Sequence, residues 1–418
     1  MIQYIFILGR YPDLSRKEIE AVLDMQKIVF TPIESTNSLY LIQTPNELSI
    51  EKLNQTLGGT VKIGRIIHTL PLPCTQDALE NYLTSDVLFS DILSPQEDKV
   101  NFGISFYSAS EKSPLSILSL LRAIKIHLEA QGFRARFPDH RGPVLSSASV
   151  GKNKLLTTGA ELLLIQSNKE LLIGKTLAIQ EFEAFSQRDY GRPARDMDSG
   201  IMPPKIARMM LNLAEVPHDQ SIIDPFCGSG TMLQEATLLG YTDVTGTDNS
   251  DKALKDTKQN LKWLNEKQKI TVQPRILKAD VTTLSKTFSE NTFSAVITEP
   301  YMGPNLQQRP SIQLIQQNQI ELTTLYLSAL TEFIKVLKPD GVIVMILPVF
   351  HLNRQFLSLD ILNDAEKLGL IQIPLSKERR QTILVGNRYD FVLREIVKFS
   401  NHKKDEILRS SAKQNEVG

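Results

Sequence analysis

Cysteine is nearly absent: Cys74 and Cys227 are the only two in 418 residues. Two thiols cannot build a disulfide framework, and no Cys/His cluster has zinc spacing, so a reducing compartment and no metal are expected. Charge of one sign is missing too, since 47 Lys and Arg balance 47 Asp and Glu. That balance excludes a globally basic nucleic-acid binder and confines any polyanion contact to a local patch. Long apolar runs are lacking. The N-terminal run from Met1 to Gly9 is short, and Arg10, Asp13, Arg16 and Lys17 follow at once, which reads as a strand rather than a signal peptide or membrane span. The expectation is a soluble cytoplasmic protein with no membrane partner. The histidines are scattered, and there is no internal repeat or low-complexity tract.

What is present centres on Ser221-Ile-Ile-Asp-Pro-Phe-Cys-Gly-Ser-Gly-Thr231. Ser221 to Asp224 read as a short strand, Gly228 and Gly230 break it, and Thr231 to Leu239 have helical apolar spacing. Strand, glycine turn and helix in succession make a cofactor-binding turn of a doubly wound α/β sheet. The glycines admit a ligand close to the backbone, and the amides opening the helix can face its carboxylate end. No Gly-Lys-Ser/Thr follows, so this is not a P-loop, and no third glycine completes a dinucleotide fingerprint.

Ahead of that turn the pattern is mixed. A strand (2–8), a helix after Ser15, β segments near 28–30 and 39–42 and a helix (47–57) form an α+β module over residues 1–58. A strand (61–69), a helix (76–89), a strand (100–106) and a helix (112–131) follow, with Leu118, Leu121, Ile124 and Leu128 assigned to the core face. A helix from Ser147 to Leu155 and a hairpin (161–166, 170–176) complete a segment 59–184. From Lys112 to Arg195 there are 13 Lys and Arg against 7 Asp and Glu. That excess, with Arg134 and Arg136, marks a polyanion-facing surface, or else a solvated face. Residues 185–200 read as a polar, basic linker. Its Arg188, Arg192 and Arg195 could hold phosphates, or pair with Asp189, Asp196 and Asp198.

From 201 to 398 strands and helices alternate, and the tail at 399–418 is polar. Val244 to Asp248 is a second strand ending in an acid, 24 residues after Asp224. Asp248 suits a ribose or a helix cap, with Asn249 beside it. Asp280 ends a third strand and suits an adenine amine or, equally, a cap. Phe293 to Thr298 is the fourth strand, leading into Glu299-Pro-Tyr301. Helix 318–337, strand 341–347, helix 355–368 and a hairpin (371–378, 389–398) bring the plan to seven strands. Asp224, Asp248, Asp280 and Thr298–Tyr301 all fall at carboxyl ends of strands, where open parallel sheets bind ligands.

The loop Asp224-Pro225-Phe226-Cys-Gly228-Ser-Gly230 with Thr298-Glu-Pro-Tyr301 resembles the amino-group methyltransferases that use S-adenosylmethionine (SAM). With Tyr4 to Arg10, Arg188 to Pro193 and Gly200 to Arg208, the chain is more closely similar to the tRNA guanine-N2 methyltransferases that carry a THUMP domain and act at guanosine 10. The resemblance implies a Rossmann-like seven-stranded SAM domain behind an α+β module and a THUMP-like RNA-binding domain, with tRNA as partner. Some relatives add a small activator subunit. SAM contacts fall to Asp224, Pro225, Phe226, Gly228, Gly230, Thr231, Asp248, Asn249 and Asp280, and RNA contacts to Arg134, Arg136, Arg188, Arg192 and Arg195. The family's Asp/Asn-Pro-Pro-Tyr is altered here: Pro300 and Tyr301 match, Thr298 stands for the acid and Glu299 for the first proline. Glu299 is taken as the principal acceptor, Thr298 as its alternative and Tyr301 as the base-stacking ring. Two other readings stay open: a DNA adenine-N6 or cytosine-N4 methyltransferase, and an RNA-binding protein whose methyltransferase fold has lost its chemistry.

Overall fold

The computed structural model describes residues 1–85, 99–108, 115–139, 142–167, 169–195, 202–270, 272–306, 308–387 and 389–401. These divide into two compact units, residues 1–16 with 26–182, and residues 17–25 with 183 onward. Among the described residues no helix is long and apolar enough to cross a membrane.

The first unit is built on an eight-stranded sheet. Its elements are β1 (Ile2–Leu8), β2 (Thr31–Ser35), β3 (Leu39–Thr44), β4 (Thr60–Pro71), β5 (Lys99–Ser108), β6 (Arg134–Arg136), β7 (Gly159–Gln166) and β8 (Glu170–Ile179), in the order β2-β3-β1-β4-β8-β7-β5-β6. β1 pairs with β3 on one side and β4 on the other. The segments 1–58 and 59–184, read above as separate modules, therefore share one sheet. Helices α1 (Pro12–Met25), which runs on into the second unit, α2 (Ile50–Thr56), α3 (Gln76–Leu83), α4 (Ile117–Ala130) and α5 (Ser147–Lys152) intervene.

Thr75, Ser116 and Ser146 start α3, α4 and α5 by accepting the amide three residues on. Ser116 caps α4, residues 112–114 of the expected helix lie outside the described residues, and the buried stripe is Leu120, Leu121, Ile124 and Leu128. Leu118, assigned to the core, is 46% exposed because that stripe passes beside it. Residues 86–89 of the expected helix and the tail from 402 lie outside the described residues. A buried carboxylate organises the sheet: Glu161 accepts Ser105 Oγ at 2.5 Å, Thr176 Oγ1 at 2.6 Å and the Lys62 ammonium. Full pairing is what makes a charge tolerable at that depth.

In the second unit α6 (Phe182–Tyr190) and α7 (Pro204–Leu213) precede an open sheet. That sheet runs β11 (Arg275–Lys278), β10 (Val244–Asp248), β9 (Ile222–Asp224), β12 (Phe293–Thr298), β13 (Leu337–Leu352), β17 (Val392–Ser400), β15 (Ile371–Ile373). β14 (Gln355–Ser358) adds to β13, and β16 (Ile383–Val385) to β17. The first five strands are parallel and β17 is antiparallel. Seven strands form the continuous path, as expected. Residues 355–358, expected as the start of a helix, are β14, because they pair with the long β13. The order reverses between β9 and β12, and such a switch point opens a crevice at the strand ends. Helices α8 (Thr231–Leu239), α9 (Asp251–Gln268), α10 (Ile312–Val336) and α11 (Leu362–Lys367) pack around the sheet. In α10 Ile315, Asn318, Leu322, Tyr326, Ala329, Phe333 and Val336 recur at three- and four-residue spacing and are buried.

Candidate functional site

The crevice at the switch point is a cleft of about 870 Å³ in the second unit. Asp224, Phe226, Gly228, Thr231, Asp248, Asn249, Asp280, Glu299, Pro300 and Tyr301 all line it. Pro225 and Gly230, also expected there, are buried behind its wall, and so is Thr298.

Asp224 ends β9 and is 5% exposed. Its Oδ1 accepts the Phe226 amide at 3.1 Å and the Thr298 hydroxyl at 2.6 Å. Burial outweighs both bonds and pushes its pKa up to about 7. Gly228 has φ +51° and nothing but the Phe226 carbonyl within 4 Å of a would-be Cβ, at 3.9 Å, so the loop presents open backbone to the cleft. At Gly230, φ is +85° and a Cβ would meet Thr257 at 2.9 Å. One glycine leaves room for a ligand and the other allows the loop to fold.

Asp248 Oδ2 accepts the Gly228 amide at 3.0 Å and Oδ1 the Ser250 amide at 2.9 Å. The cap of α9 is Ser250, whose hydroxyl accepts from Ala253, so the capping alternative for Asp248 does not hold. It does hold for Asp280. That side chain accepts the Thr282 amide at 2.8 Å and hydroxyl at 2.7 Å at the start of a short 3-10 helix, and these bonds lower its pKa. Its carboxylate still borders the cleft.

At the end of β12 the two acceptor candidates separate. Thr298 is fully buried and its hydroxyl is spent on Asp224. Glu299 faces the cleft, where Arg394 Nε donates to its Oε1 at 2.5 Å. Among the described residues its second oxygen accepts nothing. Tyr301 is 51% exposed on the cleft wall, and its carbonyl accepts the Tyr326 hydroxyl at 2.7 Å. Burial raises the Tyr326 pKa well above its ordinary value.

The arginines expected on phosphates divide. Arg188 is buried and donates to Glu235 Oε1 at 2.5 Å, and Arg208 Nε donates to Oε2 at 2.8 Å. Arg192 is 3% exposed and donates to the Thr231 hydroxyl. Both side chains are buried; the counter-charge of Arg188 is Glu235, while for Arg192 Asp189 comes ahead of Glu235. Arg195 is exposed against Tyr190. The segment 185–195 is thus no free linker: α6 covers its first part, and Asn260 clamps Ala194. The Asn260 amide nitrogen donates to the carbonyls of Ala194 and Ser229, and its oxygen accepts the Ala194 amide. Arg134 and Arg136 are exposed on the first unit, and Arg136 lines a separate basic cleft there.

Arg394, Asn260 and Glu235 were not singled out from sequence. Each is an ordinary polar residue within a regular element, and no local signal marks it.

Residues 192–380 match the UPF0020 family, described as the RMKL-like methyltransferase domain. A tRNA (guanine(10)-N2)-dimethyltransferase of Methanothermobacter thermautotrophicus is 32% identical over 139 residues, 32% of this chain and 38% of that relative. The aligned part is therefore well under half of that relative's length. TrmN from Thermus thermophilus shares the fold at TM-score 0.56 and 16% identity, over 95% of this chain and 99% of that one. The structure of SMU.472, solved in complex with SAH, does so at TM-score 0.51 and 12% identity, over 96% and 98%. Within the second unit, residues 192–380 are thus similar to the UPF0020, RMKL-like methyltransferase domain.

Proposed function

We propose that the chain transfers a methyl group from SAM to the N2 amine of a guanosine in tRNA, position 10 being the site named for its relative. One observation carries the reading. A single cleft joins an open glycine loop and two strand-end acids to a carboxylate and an exposed tyrosine at the next strand end. SAM fits the residues present. Gly228 leaves open backbone, Asp248 keeps unspent lone pairs for vicinal hydroxyls, and Asp280 borders the same wall. The first amides of α8 carry no side-chain cap. When bound, SAM supplies an electrophilic methyl on a sulfonium that leaves as a neutral thioether.

The chain's own residues would act on the amine. Its lone pair is conjugated with the purine and weakly nucleophilic. The free Glu299 oxygen accepts one amine hydrogen and the Glu299 carbonyl is a second acceptor, so the lone pair localises toward the methyl. Arg394 holds Glu299 in place for this, and placement in line supplies most of the acceleration. Tyr301 stacks on the extruded base. Thr298 acts from behind, fixing Asp224.

RNA contact is proposed for Arg134, Arg136 and Arg195. Arg136 borders a cleft of about 470 Å³ with Lys99, Lys152 and Lys154 and no carboxylate on its wall. Such a cluster suits a phosphate backbone. A reducing, cytoplasmic setting fits a tRNA substrate and belongs to the same proposal. An activator subunit does not.

The test is methyl transfer from labelled SAM into unmodified tRNA transcripts and duplex DNA, with the product nucleoside identified by mass. N2-methylguanosine or its dimethyl form in tRNA is expected. Label in DNA alone would move the activity to adenine-N6 or cytosine-N4, SAM binding without any transfer would point to a missing partner or another substrate, and no SAM binding would sink the enzyme reading.

A further inference from the structure

We infer that Arg192 is a positioning residue for the amino-acid carboxylate of the methyl donor, acting through Thr231; this rests on the SAM reading above. Arg192 is 3% exposed, and its Nη1 donates to the Thr231 hydroxyl. Its Nε and Nη2 are buried with no hydrogen-bond partner. A guanidinium held so deep with two donors unspent costs stability, unless it serves an anion that arrives later.

The surroundings reinforce the point. Glu235 is shared by Arg188 and Arg208, while Arg188, Lys205 and Arg208 all lie against the Phe185 ring. Burial lowers the pKa of both Arg192 and Lys205, with Asp189 the main opposing charge on each. Among the described residues cations outnumber acids behind the glycine loop.

That surplus points one way. Thr231 is the first residue of α8, a nine-residue helix with no side-chain cap, and it lines the cleft. Because its oxygen accepts from Arg192, its own hydrogen is directed elsewhere and can be donated to a ligand. Hydroxyl, uncapped amides and buried guanidinium together make an anion seat. In SAM or SAH the anion is the amino-acid carboxylate. The Ala194–Asn260–Ser229 clamp keeps the Arg192 segment against the loop.

The experiment compares two ligands on the full chain by titration calorimetry. SAH carries the carboxylate, and 5′-methylthioadenosine keeps the adenosine and thioether without it. Arg192→Met should weaken SAH tenfold or more and methylthioadenosine less than twofold. Arg192→Lys should keep a good part of the preference for SAH. Thr231→Val should resemble Arg192→Met, and adding Arg192→Met to it should change little further. Equal losses for both ligands would mean that Arg192 only shapes the loop, and unchanged SAH affinity would equally overturn the inference. If Arg192→Met does not fold, Arg192→Lys and Thr231→Val carry the comparison. Wild type binding neither ligand would instead sink the SAM reading.

Discussion

Asp224 gives the sharpest test, because its burial carries a pH signature. Its carboxyl titrates at about 7 in the folded chain, against 3.8 ordinarily, with desolvation the largest cause. A raised acid contributes stability that is fully present below about 3.8 and lost as pH rises through about 7. Each unit is worth about 1.4 kcal/mol, so the whole window spans about 4 kcal/mol. Between about pH 5 and pH 8 the loss from this one group is about 2 to 3 kcal/mol. Asp224→Asn removes the titration and keeps an oxygen for Phe226 and Thr298, the two donors to Oδ1. Denaturant unfolding of ligand-free wild type and variant at both pH values isolates the term. The variant should be the more stable protein at pH 8, with the gap closing toward pH 5. Parallel curves would refute the reasoning, since they would mean that Asp224 reaches enough water to ionise at its ordinary pKa. A ligand bringing positive charge into the cleft favours the ionised form, so SAM should bind several-fold tighter at about pH 8 than at about pH 6.

The other expectations separate folding from function. Gly228→Ala meets only the Phe226 carbonyl, at 3.9 Å, and should cost about 1 kcal/mol through its positive φ while weakening SAH at least tenfold. Gly230→Ala adds a 2.9 Å clash with Thr257 to φ +85°, and should cost about 2–4 kcal/mol. Similar melting temperatures for these two variants would contradict the division of roles. Glu235→Gln strands the buried Arg188 and Arg208, so urea unfolding should show a loss of about 3–5 kcal/mol; a loss under 1 kcal/mol would show that water or Asp189 takes over. Glu299→Gln keeps an acceptor and should retain SAH affinity while turnover on tRNA falls at least tenfold. Arg394→Ala should follow it, and full activity in both would take the role from the Glu299 side chain and leave its main-chain carbonyl as the acceptor.

What the sequence discloses is what short-range geometry controls. The Asp224–Thr231 loop was legible because strand, positive-φ glycines and helix are consecutive, and Asp248 and Asp280 because one helix and one strand fix their spacing. Seven strands on one path could be counted for the same reason. The side-chain ties that finish the site are not local: Glu299 meets Arg394 from 95 residues away, Ala194 meets Asn260 from 66, and Arg188 meets Glu235 from 47. A basic segment without periodicity reads as solvent-facing linker. Composition counts its cations but cannot say which already have a buried partner. On that account Arg188 and Arg192 are not proposed for phosphate, whereas Arg134 and Arg136, exposed on a three-residue edge strand, are. The same logic turns the altered tetrapeptide from a sign of lost chemistry into a placement question. Thr298, as the last buried residue of β12, cannot face the cleft, so Glu299 is the first side chain that can. A carboxylate is therefore kept at the strand end, with Arg394 as the long-range contact that holds it.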